Sequence, residues 1–532
     1  MRSKLTSKIL LVLIIILALG VRIYQIESVP PPISWDEAAV GYNAYSIANY
    51  GKDEYGKIYP LYFTSFRDDK HPVHIYATAI STKILGLNEF STRLPSAVFG
   101  ILNILLIYFL AKVFFKKEVI ALAAAAFLAI SPYNIHFSRF NHEANFVIFF
   151  YMLGLLLFYL SFKKDIALLP LSVLSFILSF LSYHPAKILV PLTGLVLFCL
   201  YFKGVYRSRV ISIISIIILT GFGLLIYLNP PLLGLARVNQ TSLNIDEIKN
   251  TYLYKLTQNQ FLGRLNLIAT QYSWHFSPQF LFIQGDKNPR LSAQTGQFYW
   301  FDLPFIVMGF LYLLYKRSKE GLVLLAWFLA APLPSSLVAE APHAARSLFM
   351  MGSWHMISAL GFYLFLNIVK KPFFRWGIVL ISIIILSLSL LNFFKYYFGE
   401  YATRYAIEWQ YGMKQIVEYV KDHEEYEQVY MSEVRSQPYI FFLYYLKTPL
   451  PEFLSRVYYN NSESKSYNTV SIFDRYYFGG WDKVESSPDK GVVYILTPYE
   501  YSGLRQREKF EVKKLIKYPN GTDAFFLVSG NL

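Results

Sequence analysis

The sequence predicts an α-helical polytopic membrane protein with about eleven transmembrane helices, interfacial helices in its first outer loop and a small C-terminal α/β domain. The composition is the first observation that predicts this class. Of the 532 residues, 55% are hydrophobic, 18% are aromatic and only 16% are charged. Soluble domains carry about 25% charged residues, so this chain cannot cover a water-facing globule of its size. The surplus apolar surface must face lipid.

Apolar runs of suitable length are the second observation, since a transmembrane helix needs roughly 20 mainly apolar residues. The eleven runs are Ile9–Tyr24, Leu94–Phe115, Val119–Pro132, Asn145–Phe162, Ile166–Ser182, Ile188–Phe202, Val210–Leu228, Phe301–Tyr315, Gly321–Leu337, Leu348–Val369 and Trp376–Phe394. The third and sixth are short, so the count carries a margin of about one or two helices. The first run also fits a secretory signal peptide, because Ala18 and Gly20 permit cleavage.

Basic residues occur in every second loop, and this third observation predicts the orientation. Short cytoplasmic loops of membrane proteins carry an excess of Lys and Arg. The basic loops hold Arg2, Lys4 and Lys8; Lys112, Lys116 and Lys117; Lys163 and Lys164; Lys203, Arg207 and Arg209; Lys316, Arg317 and Lys319; and Lys370, Lys371 and Arg375. We expect these loops to be cytoplasmic. The net charge of +15 then reflects topology, and no nucleic-acid partner is expected.

The other loops and the C-terminal segment are expected on the extracytoplasmic side. The sequence predicts a transmembrane domain over 1–398, with a first outer loop at 27–93 and a fourth at 229–300, and an extracytoplasmic α/β domain over 399–532. Helical spacing covers Tyr405–Val420 in that domain. Its strand-like runs are Gln428–Met431, Thr469–Phe473, Val492–Leu496 and Ala524–Val528. Any chemistry is expected on this face, because its loops hold most of the mixed charges and histidines.

The first outer loop contains the segment Ser34-Trp35-Asp36-Glu37, which leads into Ala38–Tyr50 and then Gly51. This spacing predicts a capping box, a helix and a C-terminal glycine. In a purely structural interpretation, Ser34 caps the helix, Glu37 reaches back to the cap and Asp36 lies favourably in the first turn. In a functional interpretation, which is compatible with the first, Asp36 beside Trp35 acts as a general base at a partly dry interface.

A second charged cluster of this loop contains Asp69, Lys70, His71 and Pro72. Pro72 suits the first position of a helix over Val73–Leu85, and Asp69 is the expected cap. This stretch is too short and too polar to span a bilayer, so it is expected along the interface. Lys70 and His71 at the helix start would form a cationic spot suited to phosphate. The alternative is an ordinary solvated charge run.

Two other outer loops bring ionisable residues to the same expected membrane depth. His142 and Glu143 follow the third apolar run, and His343 and Arg346 follow the ninth. Ionisable groups at membrane depth are costly and mark functional sites. The alternative is that such side chains snorkel and anchor the chain at the interface.

Metal and cofactor chemistry finds little support in the sequence. The single cysteine, Cys199, lies in an apolar run, so a disulfide framework and a cysteine metal site are excluded. The histidines lack the His-x3-His spacing of a zinc site. A divalent metal is compatible with the sequence but is not required by it, and no cofactor is expected.

A set of short segments occurs in a defined order along the chain. The segments are the Asp36-Glu37 pair, Lys70-His71-Pro72, Arg93-Leu94-Pro95-Ser96-Ala97, Phe137–Phe140, Gly285–Arg290, Pro342–Ser347 and Glu408–Gly412. On the expected topology, this set resembles the GT-C superfamily of membrane glycosyltransferases. The most similar groups are the protein O-mannosyltransferases, or family 39, and the bacterial lipid A aminoarabinose transferases.

The resemblance implies roles for individual residues. Asp36 resembles the catalytic aspartate of the family, and Glu37 resembles its paired acid. The other candidates share an implied role in binding phosphate or substrate, and they are Asp69, Lys70, His71, His142, Glu143, His343 and Arg346.

The resemblance also implies a reaction. A sugar would move from a polyprenyl-phosphate donor to a hydroxyl of a lipid, glycan or protein acceptor, with inversion at the anomeric carbon. Three alternatives stay open: a transporter or flippase of lipid-linked sugars, a non-catalytic membrane scaffold, and a ligase-like transferase that uses a diphosphate carrier. The nearly charge-free spans argue against the transporter, which needs charged groups along a path through the bilayer.

Overall fold

The structure is a computed structural model that describes residues 2–65, 68–205, 208–234, 241–432, 437–460, 469–479 and 488–531. The chain divides into two compact units. The first unit contains Met1–Tyr24 and Ser96–Lys395, and the second contains Gln25–Pro95 and Tyr396–Leu532. Nearly all of the first outer loop therefore packs with the C-terminal segment, whereas we expected it to belong to the transmembrane domain.

The described part of the chain is mostly helical. Its α-helices are α1 (Arg2–Ile23), α2 (Trp35–Tyr50), α3 (Pro72–Leu85), α4 (Glu89–Phe115), α5 (Glu118–Ile130), α6 (Pro132–Phe137), α7 (Ala144–Lys163), α8 (Leu168–Phe180), α9 (Ala186–Val205), α10 (Arg209–Leu228), α11 (Ile245–Lys249), α12 (Tyr252–Thr257), α13 (Gln260–Trp274), α14 (Asp302–Lys316), α15 (Lys319–Ala330), α16 (Leu333–Ser336), α17 (Met350–Ile368), α18 (Pro372–Lys395), α19 (Ala402–Arg404), α20 (Met413–Asp422), α21 (Tyr439–Leu446), α22 (Leu450–Arg456) and α23 (Pro498–Ser502). Short 3-10 helices cover Pro230–Leu233 and Arg507–Lys509, and π-helical turns cover Gln279–Ile283 and Tyr396–Tyr401.

Each of the apolar runs predicted from the sequence overlaps a helix. Within the described residues, six helical segments are long and apolar enough to cross a membrane: Leu5–Ile23, Glu89–Phe115, Ala144–Lys163, Ala186–Val205, Arg209–Leu228 and Pro372–Arg404. Two shorter apolar helices are α5 and α8. A mostly helical protein with several apolar helices is therefore confirmed, and the eleven-span topology stays a prediction.

Strands occur in the second unit. They are β1 (Phe63–Ser65), β2 (Asp68–Lys70), β3 (Gln428–Ser432), β4 (Tyr458–Asn460), β5 (Thr469–Phe473), β6 (Tyr476–Gly479), β7 (Val492–Leu496), β8 (Phe510–Lys517) and β9 (Asp523–Gly530). Strands β1 and β2 form a hairpin, and the others form a sheet in the order β4-β5-β6-β3-β7-β9-β8. Strand β3 runs parallel to both of its neighbours, and the other pairs are antiparallel. The small C-terminal α/β domain is confirmed.

The helix predicted over Tyr405–Val420 is shorter than expected. Helix α20 begins at Met413, because Gly412 before it has a φ of 104° and interrupts the helical path. Residues 405–412 form turns instead. The apolar spacing of the helix was identified correctly, but its start was placed too early.

Two fully buried arginines hold helix ends together in the first unit. The Arg139 guanidinium donates to the carbonyls of Val21 and Tyr24, both at 2.6 Å, at the C-terminal end of α1. Arg22 donates to the carbonyls of Ala18 and Ala129, both at 3.1 Å. The last carbonyls of a helix lack partners within the helix and favour a cation. These contacts give Arg139, part of a segment that carried the resemblance, a structural role.

The core of the second unit forms where α2 packs on α21. Tyr42, Ala38 and the residues of α21 belong to one buried cluster. The Tyr42 hydroxyl donates to the Thr448 carbonyl at 3.0 Å, and the hydroxyls of Thr92 and Tyr444 are 2.8 Å apart. These contacts join the first outer loop to the C-terminal segment and explain why the two form one unit.

Substitution of Gly41 by alanine is expected to destabilise this packing. A Cβ atom at Gly41 would lie 2.5 Å from Cε2 of Tyr444 and 3.0 Å from Oγ1 of Thr92. Overpacking of this kind costs about 1–3 kcal/mol, which exceeds the gain of about 1 kcal/mol in helix propensity. The thermal midpoint of the purified protein should therefore fall. Gly221→Ala in α10, where nothing lies within 4 Å, is the matched control and should not lower it. Equal midpoints for the two variants would contradict this packing.

Candidate functional site

Asp36 lies in the first turn of α2, and the capping box predicted for this helix is confirmed. The Ser34 N–H donates to Oε2 of Glu37 at 3.2 Å, and the Glu37 N–H donates to Oγ of Ser34 at 3.4 Å. At the other end, Gly51 adopts the left-handed conformation and its N–H donates to the Ile47 carbonyl. The local sequence thus fixes both ends of the helix that carries Asp36.

Glu37 forms a buried ion pair with Arg93. Nε of Arg93 donates to Oε1 of Glu37 at 2.8 Å, and Nη2 donates to Oε2 at 3.0 Å. Both side chains are 0% exposed. The remaining guanidinium protons go to the carbonyls of Ile26, Pro30 and Pro31. These contacts suit Glu37 for positioning α2 and do not suit it for contact with a substrate.

Asp36, the neighbour of Glu37 in the chain, contacts Lys70. Nζ of Lys70 donates to Oδ1 of Asp36 at 2.7 Å. The Asp36 side chain is 49% exposed, whereas that of Lys70 is only 10% exposed. Strand pairing places Lys70 opposite the buried Phe63, which holds the lysine at the end of the hairpin. The structure therefore joins two predicted site residues that are far apart in sequence.

The cap predicted for α3 is wrong. His71, and not Asp69, is the N-cap residue of α3, and Pro72 occupies the first helical position as expected. Asp69 pairs with Thr64 in the hairpin, so its backbone is already extended before the helix begins. The Asp69 side chain lies outside the described part of the structure. The His71 side chain is buried, and His71 follows Lys70 directly in the chain.

Glu54, which we did not predict as a site residue, is buried in the same unit. It is 1% exposed, and neither carboxyl oxygen has a hydrogen-bond partner among the described residues. Burial, with the charge of Asp53 as a second cause, raises the pKa of Glu54 to about 8, although Asn43 and Lys70 oppose the shift. In the sequence, Glu54 belongs to an acidic pair just after the glycine that ends α2, and nothing in that pair indicates its burial.

The predicted residues of the first unit lie in two clusters, one at the start of α7 and one before α17. Nδ1 of His142 accepts from the Ala144 N–H at 3.1 Å and lies 3.5 Å from Oε2 of Glu143. The His142 N–H donates to Oγ of Ser96 at 3.3 Å. This cluster lies at the start of α7 and contains a carboxylate and an imidazole that are both partly accessible.

The second cluster contains His343, Arg346 and Asp286. Oδ2 of Asp286 accepts from the Ala344 N–H at 2.6 Å and lies 4.0 Å from Nδ1 of His343. Burial raises the pKa of Asp286 to about 6. Arg346 donates to the Ala339 carbonyl at 2.6 Å. Asp286, part of the Gly285–Arg290 segment, organises this loop, and sequence reasoning did not assign it a role.

No group of three or more His, Cys, Asp or Glu side chains that could hold a metal ion occurs within the described ranges. The candidate residues thus fall into a carboxylate–ammonium pair in the second unit and two clusters in the first. The pair can exchange a proton with a hydroxyl and attract an anion, which are the two requirements of group transfer from a phosphorylated carrier.

The fold is shared with solved membrane glycosyltransferases. ArnT from Cupriavidus metallidurans in the apo state gives a TM-score of 0.57 at 12% identity, over 100% of this chain and 98% of that chain. The same protein bound to undecaprenyl phosphate gives 0.54 at 13% identity, over 98% of each chain. The archaeal oligosaccharyltransferase AglB from Archaeoglobus fulgidus was solved in complex with an inhibitory peptide and a dolichol-phosphate. It gives a TM-score of 0.51 at 14% identity, over 98% of this chain and 74% of that chain. At these identities the likeness shows the fold, which is the GT-C fold.

A family match agrees with the fold. Residues 69–231, just under a third of the chain, match the family described as dolichyl-phosphate-mannose-protein mannosyltransferase. A comparison with curated protein sequences finds no match. The family match and the fold together place the chain in the GT-C superfamily, whose members are glycosyltransferases. With its apolar helices, the protein is an integral membrane protein.

Removal of Arg93 is expected to destabilise the second unit strongly. Arg93→Ala would leave the Glu37 carboxylate buried and unpaired, a change that costs about 3–5 kcal/mol. Lys414→Ala is the matched control, because its pair with Glu89 is partly exposed and such pairs contribute about 0–1 kcal/mol. Thermal unfolding in detergent measures both variants. A similar, small loss of stability in both variants would show that the buried ion pair does not stabilise this unit.

Proposed function

We propose that the protein transfers a sugar from a polyprenyl-phosphate donor to an acceptor hydroxyl on the extracytoplasmic face of a membrane, with inversion at the anomeric carbon. The observation that carries this proposal is the contact between Asp36 and Lys70, a half-exposed carboxylate and a nearly buried ammonium 2.7 Å apart. Two structures with the same fold contain polyprenyl phosphates, which supports this donor class. The acceptor is a lipid, a glycan or a protein.

In the proposed reaction, the acceptor hydroxyl attacks the anomeric carbon as the bond from that carbon to the phosphate oxygen breaks. The carbon gains oxocarbenium character, as in glycoside hydrolysis. Asp36 orients the hydroxyl and takes its proton. The electron pair of the broken bond stays on the phosphate, where the Lys70 ammonium stabilises the growing charge. Glu37 takes no part in proton transfer and holds the start of α2.

The clusters of the first unit and residues near Lys70 are proposed to bind the substrates. His71 adds polarity at the start of α3, where backbone N–H groups also favour an anion. In the first unit, His142 with Glu143 and His343 with Arg346 are candidates for contacts to phosphate, sugar or acceptor.

No cofactor and no metal are needed for these steps. Transfer should therefore persist in the presence of a chelator.

Substitution of Asp36 by asparagine is expected to abolish transfer without unfolding the protein. The amide keeps the shape of the side chain but cannot accept a proton, and loss of a general base costs about 10²–10⁴-fold in rate. The measurement is release of free polyprenyl phosphate from defined polyprenyl-phosphate sugars by the purified protein, followed by mass spectrometry.

Asp422→Asn, at an exposed acid on α20, is the matched control and should keep the activity. Full transfer by Asp36→Asn would reject Asp36 as the base. Translocation of the lipid-linked sugar across vesicle membranes without release of polyprenyl phosphate would favour the flippase instead.

The proposed orientation can be tested by labelling in intact cells. In a Cys199→Ser background, Asn520→Cys in the C-terminal segment should react with a membrane-impermeant maleimide, because that segment is proposed to be extracytoplasmic. Lys316→Cys, at the end of α14 where a loop expected to be cytoplasmic begins, should react only after permeabilisation. Both side chains are exposed, so access to the residue itself does not limit the reaction. The reverse labelling pattern would reject the orientation.

A further inference from the structure

Asp286 is a buried acid of the first unit to which the proposed reaction assigns no role. Its Oδ2 accepts from the Ala344 N–H at 2.6 Å, and its Oδ1 accepts from the Asn288 N–H at 2.8 Å. The first of these contacts spans 58 residues of sequence. It joins the loop that carries Asp286 to the turn at 343–347, which contains two candidates for substrate contacts. A buried carboxylate is tolerated when it is hydrogen-bonded, and these two N–H groups meet that condition.

The backbone around Asp286 is closely packed and gives the carboxylate a fixed position. Gly285 before it has a φ of 78°, and a Cβ atom there would lie 2.4 Å from the Thr295 carbonyl oxygen, so glycine is required. Nε2 of Gln294 donates to the Asp286 carbonyl at 2.7 Å. The loop is therefore a firm support from which Asp286 can hold a second segment.

The turn at 343–347 presents an imidazole and a guanidinium. The Arg346 N–H donates to Nδ1 of His343 at 3.3 Å, whereas Oδ2 of Asp286 lies 4.0 Å from the same nitrogen, beyond hydrogen-bond distance. This contact assigns the hydrogen of the neutral imidazole to Nε2, which can then donate to an anion. Nη1 of Arg346 donates to the Ala339 carbonyl at 2.6 Å. The contact of Nη2 with the exposed Glu340, at 3.5 Å, is of the weak kind that a phosphate can replace.

We propose that Asp286 is a positioning residue, which holds the turn at 343–347 so that Nε2 of His343 and the guanidinium of Arg346 bind the phosphate of the polyprenyl carrier. This inference rests on the proposed function, in which His343 and Arg346 are candidates for substrate contacts. Asp286 acts through the backbone N–H of Ala344 and does not touch the phosphate. Side chains that bind a ligand lose affinity when the groups that orient them are removed.

The charge of Asp286 agrees with this role. Burial raises the pKa of Asp286 to about 6, although the N–H groups of Ala344 and Asn288 and the charge of Arg346 oppose the shift. The charge of Glu340 contributes a further, smaller rise. The carboxyl is therefore mainly ionised at neutral pH, where it accepts both N–H groups most strongly.

The test is a double-mutant cycle for the binding of undecaprenyl phosphate to the purified protein at neutral pH, measured by native mass spectrometry. Asp286→Ala should raise the Kd about tenfold or more, because displaced binding groups lose up to about 10²-fold. Arg346→Gln should also raise the Kd, since it removes a charged contact to phosphate. The double variant should bind at least about threefold more tightly than the product of the two single losses predicts, because Asp286 acts through the turn that carries Arg346.

Asp246→Ala, at an exposed acid in the first turn of α11, is the matched control and should bind undecaprenyl phosphate like the wild type. Asp286→Asn keeps one oxygen that accepts a hydrogen bond, so its loss of affinity should be smaller than that of Asp286→Ala. The asparagine variant replaces the alanine variant in the cycle if the latter does not fold.

Unchanged binding by a folded variant of Asp286 would overturn the inference, and so would single losses that multiply independently. The second result would show that Asp286 stabilises the protein without acting through the turn. A wild-type protein that does not bind undecaprenyl phosphate would also reject the inference. Failure of the proposed function is a different result, in which the cycle gives the expected coupling but no polyprenyl phosphate is released from sugar-linked donors.

Discussion

A buried ion pair between Glu37 and Arg93 ties the first turn of α2 to the first turns of α4. Both carboxylate oxygens and all five guanidinium N–H groups have hydrogen-bond partners within the second unit, which is the condition for a buried pair to be tolerated. Glu37 also closes the capping box. The ion pair and the capping box together fix the start of α2. They therefore also fix the position of the neighbouring carboxylate, Asp36, which is half-exposed. Preorganisation of this kind is what a catalytic carboxylate requires.

Two adjacent acids thus acquire different properties from their surroundings. Glu37 is enclosed and paired with a guanidinium, whereas Asp36 is half-exposed and contacts an ammonium that a phosphate can share. Glu54 adds a third environment, with burial and no hydrogen-bond partner in the described chain. Enzymes assign acid, base and structural roles to chemically similar carboxylates through such differences in environment. All three carboxylates belong to the first outer loop, which lies almost entirely in the second unit.

The features predicted correctly from the sequence are those set by local patterns. The capping box at Ser34, the glycine at the end of α2 and the proline at the start of α3 each depend on residues within one or two turns. The apolar runs overlap helices for a similar local reason. In lipid, a long apolar segment can satisfy its own backbone N–H and C=O groups by forming a helix. The resemblance to GT-C glycosyltransferases also came from short ordered segments, and the family match and the fold confirm it.

The features missed from the sequence depend on contacts between distant residues. Arg93 lies 56 residues from Glu37, so spacing alone did not reveal their pair. The cap at Asp69 failed because hairpin pairing takes precedence over a local capping preference. The packing of Tyr42 against helix α21 is likewise not visible in the sequence, because about 400 residues separate them. Glu54 was not predicted as a site residue because its raised pKa results from burial. An acidic pair in a loop does not indicate that burial.

The contact between Asp36 and Lys70 is the centre of this account, and a structure with bound carrier tests it most directly. A cryo-EM structure of the protein with a polyprenyl phosphate would locate the phosphate relative to these two side chains. The account predicts a phosphate oxygen within hydrogen-bond distance of Nζ of Lys70, with the Asp36 carboxylate facing the same space. A phosphate bound elsewhere, with the ion pair intact and remote from it, would contradict the account.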